Sequence, residues 1–145
     1  MDYTEKEQAL AQACAEYMMA NDTASRILGI HIDRVSSGCA TASMTVTGAM
    51  LNGHLTCHGG YIFSLADTAF ALACNSQNQA AVAASCTIDY ILPALKGDVL
   101  TAHAKLSHQG GRTGIYLVQM CNQDNQTVAL FKGNSTRIKR TVLPQ

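Results

Sequence analysis

Residues 52–68 read NGHLTCHGGYIFSLADT, and this stretch decides the fold. A turn-forming Asn52-Gly53 leads into His58-Gly59-Gly60, and the apolar run that follows carries one acid, Asp67. Paired glycines ahead of an apolar helix leave backbone N–H groups bare at its N-terminus, where an anion or a polarised carbonyl oxygen can sit. A carboxylate on an otherwise apolar helix is costly to bury without partners, so Asp67 needs a chemical reason. Donors and a carboxylate in one element are components for attack on an acyl group.

Working outward, Gly60 to Asn75 reads as a central helix. Ile62, Phe63, Leu65, Ala66, Ala69, Phe70, Ala73 and Cys74 cover nearly its whole circumference, the mark of a buried helix. Upstream, residues 4–20 form a first helix with Leu10, Cys14, Tyr17 and Met18 at helical spacing, and Asn21-Asp22 breaks it. Ile27 to Val35 and Cys39 to Val46 read as strands around a Ser36-Ser37-Gly38 hairpin turn, and Asn52 to Cys57 as a loop. Downstream come four strands, Ala81–Leu92, Val99–Ser107, Gly114–Cys121 and Thr127–Lys139, separated by Pro93, Lys96-Gly97-Asp98, Gln109-Gly110-Gly111 and Asn122–Asn125. Short turns between consecutive strands imply an antiparallel sheet, against which a lone apolar helix buries itself. The expected architecture is a single α+β domain over residues 1–145, a long central helix wrapped by a curved antiparallel sheet. With flanking residues, its two helical segments span 1–21 and 58–76. A sheet on one side leaves the helix uncovered on the other, so a second subunit is expected.

With 145 residues, nearly half apolar, and zero formal net charge, the chain can build one core. It lacks the basic surface that nucleic acid or an anionic membrane demands. No apolar run approaches the roughly 20 residues of a membrane span. The N-terminus is acidic and amphipathic, without the basic start and apolar stretch of a signal peptide, so a cytoplasmic protein is expected. Cys14, Cys39, Cys57, Cys74, Cys86 and Cys121 contain no CxxC pair and read as unpaired thiols.

Asp67 is either a helix residue held by Ser64, Thr68 or a loop N–H, or a general base or nucleophile. Gly59 and Gly60 either permit a tight entry to the helix or present the Gly59 N–H to a carbonyl oxygen at the positive end of the helix dipole. Asn52 is a turn residue whose amide could also place a water. Ser85, on the strand after the helix, is a polar residue among alanines. His54 and His58 stand four apart across a loop with no third ligand nearby, so no metal is expected. Gly59 and Asp67 are eight residues apart, about 12 Å along a helix. A carbonyl about 3 Å from the Gly59 N–H cannot also meet Asp67 of the same chain. If both act, two antiparallel helices of a two-fold dimer share the site.

Asn52, His58-Gly59-Gly60, the SLADTA run around Asp67, and Cys86-Thr87-Ile88-Asp89-Tyr90 together resemble the hotdog-fold acyl-CoA thioesterases, specifically the phenylacetate-degradation branch. The resemblance implies the hotdog fold and an acyl-CoA partner. The implied reaction is hydrolysis of phenylacetyl-CoA or hydroxylated phenylacetyl-CoA to free acid and CoA. It makes Asp67 the catalytic carboxylate and Gly59 the donor to the thioester oxygen. Asn52 and His58 then hold the carbonyl or the water, Ser85 positions water, and Gly60 and Thr68 line the substrate. Arg112 and Lys132 are candidate contacts for the CoA phosphates. The family needs no cofactor and is usually a tetramer built as a dimer of dimers. The same fold also hosts dehydratases and non-catalytic acyl-CoA binders, which remain the alternatives.

Overall fold

Residues 3–145 are described by a computed structural model. Among them, helix α1 (Tyr3–Asn21) and a short α2 (Thr23–Ile27) precede the hairpin β1 (His31–Ser36) and β2 (Cys39–Thr45). The central helix α3 (Gly59–Cys74) follows, then β3 (Gln79–Tyr90), β4 (Val99–Gln109), β5 (Thr113–Cys121) and β6 (Thr127–Thr141). The six strands form one antiparallel sheet in the order β1-β2-β4-β5-β6-β3. Register shifts in four of the five pairings curve the sheet around α3.

Alternation with period two sets the inner face of the sheet. Ala40, Ala42 and Met44 of β2, Leu100, Ala102 and Ala104 of β4, Tyr116, Val118 and Met120 of β5, and Phe131 of β6 are all buried. The alanines leave room for Ile62, Leu65, Ala66, Ala69 and Phe70 of α3 to settle onto the strands. Phe70 packs against the rings of Tyr116 and Phe131 at 5.5 and 5.9 Å between centroids. A Cβ on Gly133 would stand 2.7 Å from that phenylalanine ring. Gly133→Ala should therefore cost about 1–3 kcal/mol by overpacking. Urea unfolding checks this, and an unchanged midpoint would refute it.

The order of helix, two strands, helix and four strands is as the sequence reading expects, with two short insertions, α2 and a 3-10 helix at Gly48–Met50. Ile27 is not in a strand. Asn21-Asp22 ends α1 as expected, and Asp22 also caps α2: its carboxylate accepts the Ser25 N–H at 2.9 Å and the Ser25 hydroxyl at 2.6 Å. Gly29 then turns the chain at φ +71°, and β1 starts only at His31. β3 likewise begins two residues early. The buried Asn75 side chain fixes it by exchanging hydrogen bonds with the Ala81 N–H (2.9 Å) and C=O (3.1 Å).

Two features position the site. Gly60, Ser64, Asp67, Thr68 and Ala71 form a strip along α3 that is only partly covered or exposed. β3 is an edge strand bonded only to β6, and its residues 82–85 are exposed. Among the described residues, no helix is long and apolar enough to cross a membrane.

Candidate active site

His58 is the N-cap of α3, and its Nδ1 accepts the Gly60 N–H at 3.0 Å. An accepting Nδ1 leaves the ring proton on Nε2. The Tyr61 N–H is taken by the His58 carbonyl at 3.0 Å. The Gly59 N–H has no such partner among the described residues, so it is the donor left open at the positive end of the helix. Gly60 thus serves the cap, and its N–H is not free for a ligand. The opening is held from the side by Tyr90, whose hydroxyl donates to the Gly59 carbonyl at 2.9 Å. A Cβ at Gly59 would lie 2.9 Å from the Tyr90 Cζ and hydroxyl, which is why this position is glycine.

Asn52 organises the loop before the helix. Its Oδ1 accepts from the N–H groups of His54 (2.9 Å) and Thr56 (3.2 Å), and its own N–H donates to the Thr56 carbonyl at 2.8 Å. The Cys57 and His58 N–H groups then tie the loop to Ala94 and Met50, both at 2.8 Å. Asn52, Gly59, Ile62, Tyr90 and Leu92 line a cavity of about 380 Å³ in front of the helix end. The Asn52 side chain is therefore a turn residue whose oxygen is committed. Its Nδ2 makes no hydrogen bond among the described residues.

Two turns further along α3, Asp67 is half-buried, with no hydrogen-bond donor or cation against it among the described residues. Burial pushes its pKa up, and the nearby Asp22 carboxylate raises it further. Asp22 is held there by a short chain of hydroxyls. Ser25 bonds to Asp22, its Oγ lies 3.0 Å from the Thr68 Oγ1, and Thr68 donates to the Ser64 carbonyl at 2.9 Å. Cys74 and Cys86 lie near Asp67. Burial chiefly raises both thiols, Cys74 to about 12, and burial raises Cys57 as well. Burial thus disfavours the thiolate form of all three. Asn caps a helix as well as Asp but carries no charge. Asp22→Asn should therefore move the acid limb of the pH–kcat/KM profile to lower pH, and an unmoved limb would remove Asp22 from this account.

Ser85 lies on β3 beside Cys86. Cys86 pairs with Gly133, which faces the Phe70 ring of α3, so the adjacent pair Ser85 and Asn134 points to the opposite face of the sheet. There Asn134 Nδ2 donates to the Ser85 hydroxyl at 2.7 Å. Within the subunit, the register of β6 on β3 thus turns Ser85 away from Asp67 of the same chain. Lys132 lies on the same outer face, between Thr87 and Leu117. Arg112 sits in the β4–β5 turn, its carbonyl accepting the Arg137 N–H at 2.7 Å. Neither joins the groups around Gly59 or Asp67. His54 is exposed on its loop, and no metal-binding group of three or more ligands occurs among the described residues. Tyr90 and Asp22 are the functional neighbours that the residue pattern alone does not reveal. Each reaches the site through a contact distant in sequence.

The family model of the thioesterase superfamily matches residues 54–129. The acyl-coenzyme A thioesterase PaaI of Escherichia coli is 55% identical over 128 residues, covering 88% of this chain and 91% of that protein. The solved structure of the E. coli PaaI protein from the phenylacetic acid degradation operon superposes with a TM-score of 0.91 at 53% identity, over 92% of this chain and 97% of that one. A hypothetical thioesterase protein from Streptococcus pneumoniae, solved with coenzyme A, matches at 26% identity and a TM-score of 0.74, over 77% of this chain and 87% of its own. A helix wrapped by a curved antiparallel sheet agrees with these matches: the chain has the hotdog fold and belongs to the thioesterase superfamily.

Proposed function

We propose that the chain hydrolyses acyl-CoA thioesters, arylacetyl-CoA among them, at sites shared between two subunits. The observation that carries this reading is the pair of open groups on α3: an uncommitted N–H at Gly59 and an unpaired, basic carboxylate at Asp67. The relationship to the E. coli thioesterase supports the arylacetyl substrate.

Along β3, Gly59 sits beside Tyr90, while Asp67 is near Cys86. Four strand residues span about 13 Å, which matches the roughly 12 Å of helix between Gly59 and Asp67. Antiparallel pairing of two β3 edges about a two-fold between these points sets each Gly59 against the other subunit's Asp67. It also satisfies the open backbone groups of the edge strand. The thioester oxygen then accepts the N–H from Gly59 of the partner subunit, with the His58 Nε2–H and the Asn52 amide of that subunit as further donors. Asp67 takes a proton from water as the resulting hydroxide attacks the carbonyl carbon. The tetrahedral oxyanion collapses, the C–S bond breaks, and the sulfur leaves as CoA thiol with the proton Asp67 had taken. On the outer face of the sheet, Val99, Leu117 and Leu130 are exposed apolar side chains, a surface on which two such dimers pack into a tetramer. We place the enzyme in the cytoplasm, where CoA thioesters are made.

The test is release of free thiol from a panel of acyl-CoAs, followed with a thiol reagent. Arylacetyl-CoA should be hydrolysed, and exhaustive chelation should leave the rate unchanged. Asn52→Ala and His58→Ala should each lower kcat by about 10–1000-fold through lost donors and orientation. Rates equal to wild type in both would reduce these residues to loop structure, and no turnover of any thioester would overturn the proposal.

A further inference from the structure

The Gly59 N–H belongs to a Gly-Gly pair, the most pliable backbone a site can have, and a donor that swings cannot hold an oxyanion. Yet both peptide groups flanking the Gly59 Cα are gripped. Ahead of it, the His58 carbonyl accepts the Tyr61 N–H at 3.0 Å, and a planar trans peptide then directs the Gly59 N–H out of the helix end. Behind it, side chains hold the Gly59–Gly60 peptide at both polar ends. Its carbonyl accepts the Tyr90 hydroxyl at 2.9 Å, and its N–H donates to His58 Nδ1 at 3.0 Å. Each glycine admits one of these holders: a Cβ at Gly59 would stand 2.9 Å from the Tyr90 hydroxyl, and one at Gly60 would stand 3.2 Å from His58 Nδ1. We propose that Tyr90 is a positioning residue for hydrolysis, its hydroxyl locking the Gly59–Gly60 peptide so that the Gly59 N–H stays aimed at the thioester oxygen. The inference rests on the thioesterase reading above and adds to it the device that keeps the donor in place.

Three observations single out Tyr90. The first is where it is mounted. His58 shares a segment with the two glycines and moves with them, whereas Tyr90 stands at the end of β3, paired with Ala129 of β6. The next two N–H groups, of Ile91 and Leu92, both donate to the Val128 carbonyl, at 2.8 and 3.2 Å. Tyr90 therefore ties the helix end to a rigid strand, as a precise site requires. The second is that packing does not account for a tyrosine here. Its side chain is 52% exposed within the subunit, and a phenylalanine ring would bury the same apolar area. The third is the state of the hydroxyl. Burial raises its pKa and the neighbouring Cys57 raises it further, so at neutral pH it keeps its proton and donates. Tyr90 also lines the 380 Å³ cavity in front of the helix, but the single proton of its hydroxyl is committed to the Gly59 carbonyl. It acts on the thioester through Gly59.

The experiment uses the full-length assembled protein and compares wild type with Tyr90→Phe, which removes the hydroxyl and keeps the ring. With phenylacetyl-CoA, kcat should fall about 10–100-fold, less than the roughly 10²–10³-fold that loss of a whole donor costs, while KM is unchanged. Thermal melts should show the same folded fraction in both proteins. The second readout is the infrared carbonyl band of phenylacetyl-CoA labelled with carbon-13 at the thioester carbon, bound to Asp67→Asn chains to prevent turnover. Binding should move the band to lower wavenumber than in free substrate, and adding Tyr90→Phe should reverse part of that shift. A ring that serves only as packing would leave the band and the kcat per folded site as they were, and that result would overturn the proposal. A raised KM at constant kcat would overturn it too, by making Tyr90 a direct substrate contact. So would a lowered kcat with an unmoved band, because the effect would then bypass the Gly59 N–H. Should wild type hydrolyse no thioester, the band still decides. A shift that Tyr90→Phe reverses would keep the aimed donor and discard the hydrolase, and a band at the position of free substrate would discard both.

Discussion

Asp67→Asn is expected to lower kcat by about 10³- to 10⁴-fold while the protein stays folded and assembled. In the proposed mechanism the substitution removes the base that takes the proton from water, and it leaves the shape of α3 intact. It should also make the protein harder to melt at neutral pH. Burial and the Asp22 charge raise the pKa of Asp67 in the folded chain, so the native state holds this proton more tightly than the unfolded chain does. Stability is therefore highest below the ordinary carboxylate value, falls as pH rises from there, and is lowest above the raised folded value. Asparagine never ionises and escapes that loss. The melting temperature of the variant should exceed wild type at pH 7, and the difference should shrink as the solution is acidified. Steady-state thiol release and melting curves across pH check both statements. Turnover near wild type in the variant would remove Asp67 from the chemistry.

The second large effect is rescue of one inactive protein by another. Gly59→Pro removes the donor N–H at a helix position where proline is tolerated, so it should be as inactive as Asp67→Asn. Gly59→Ala is the control. It keeps the N–H but brings the same Cβ toward Tyr90, 2.9 Å away, and so reports the steric part alone. In a purified heterodimer of Gly59→Pro and Asp67→Asn chains, one site carries both lesions and the other carries neither. Turnover should rise from near zero to about half of wild type per dimer. If each chain held a complete site of its own, every site in the mixture would carry one lesion and the heterodimer would stay inactive.

What the sequence makes legible is what local rules control. The Gly-Gly entry, the apolar run and the polar stop at residues 75–78 define α3 without reference to any other element, and the strands after it declare themselves through their turns. What stays hidden is what side chains and distant partners decide. Asn21-Asp22 is the ending the sequence suggests, and the Asp22 side chain also folds back onto Ser25 and starts a new helix. Ser85 is one residue from a strand position that faces α3. Only the pairing of β3 with β6, with its shift between Ala83 and Ser85, determines which face its hydroxyl takes. Tyr90 closes on Gly59 across 31 positions of sequence, a contact no window of neighbouring residues contains.

The place of β3 at the margin of the sheet also bears on how the chain is made. Its sole partner within the subunit is β6, which begins at Thr127, whereas β3 is complete at Tyr90. During synthesis at about 5–20 residues per second, β3 and the apolar helix before it leave the ribosome seconds before the strand that will hold them exists. In that interval the segment presents an unpaired, small-residue strand that is prone to pair with another nascent copy. Messages translated by closely spaced ribosomes should therefore favour early encounter of two β3 segments, and slowing translation between residues 91 and 126 should lengthen the window for aggregation.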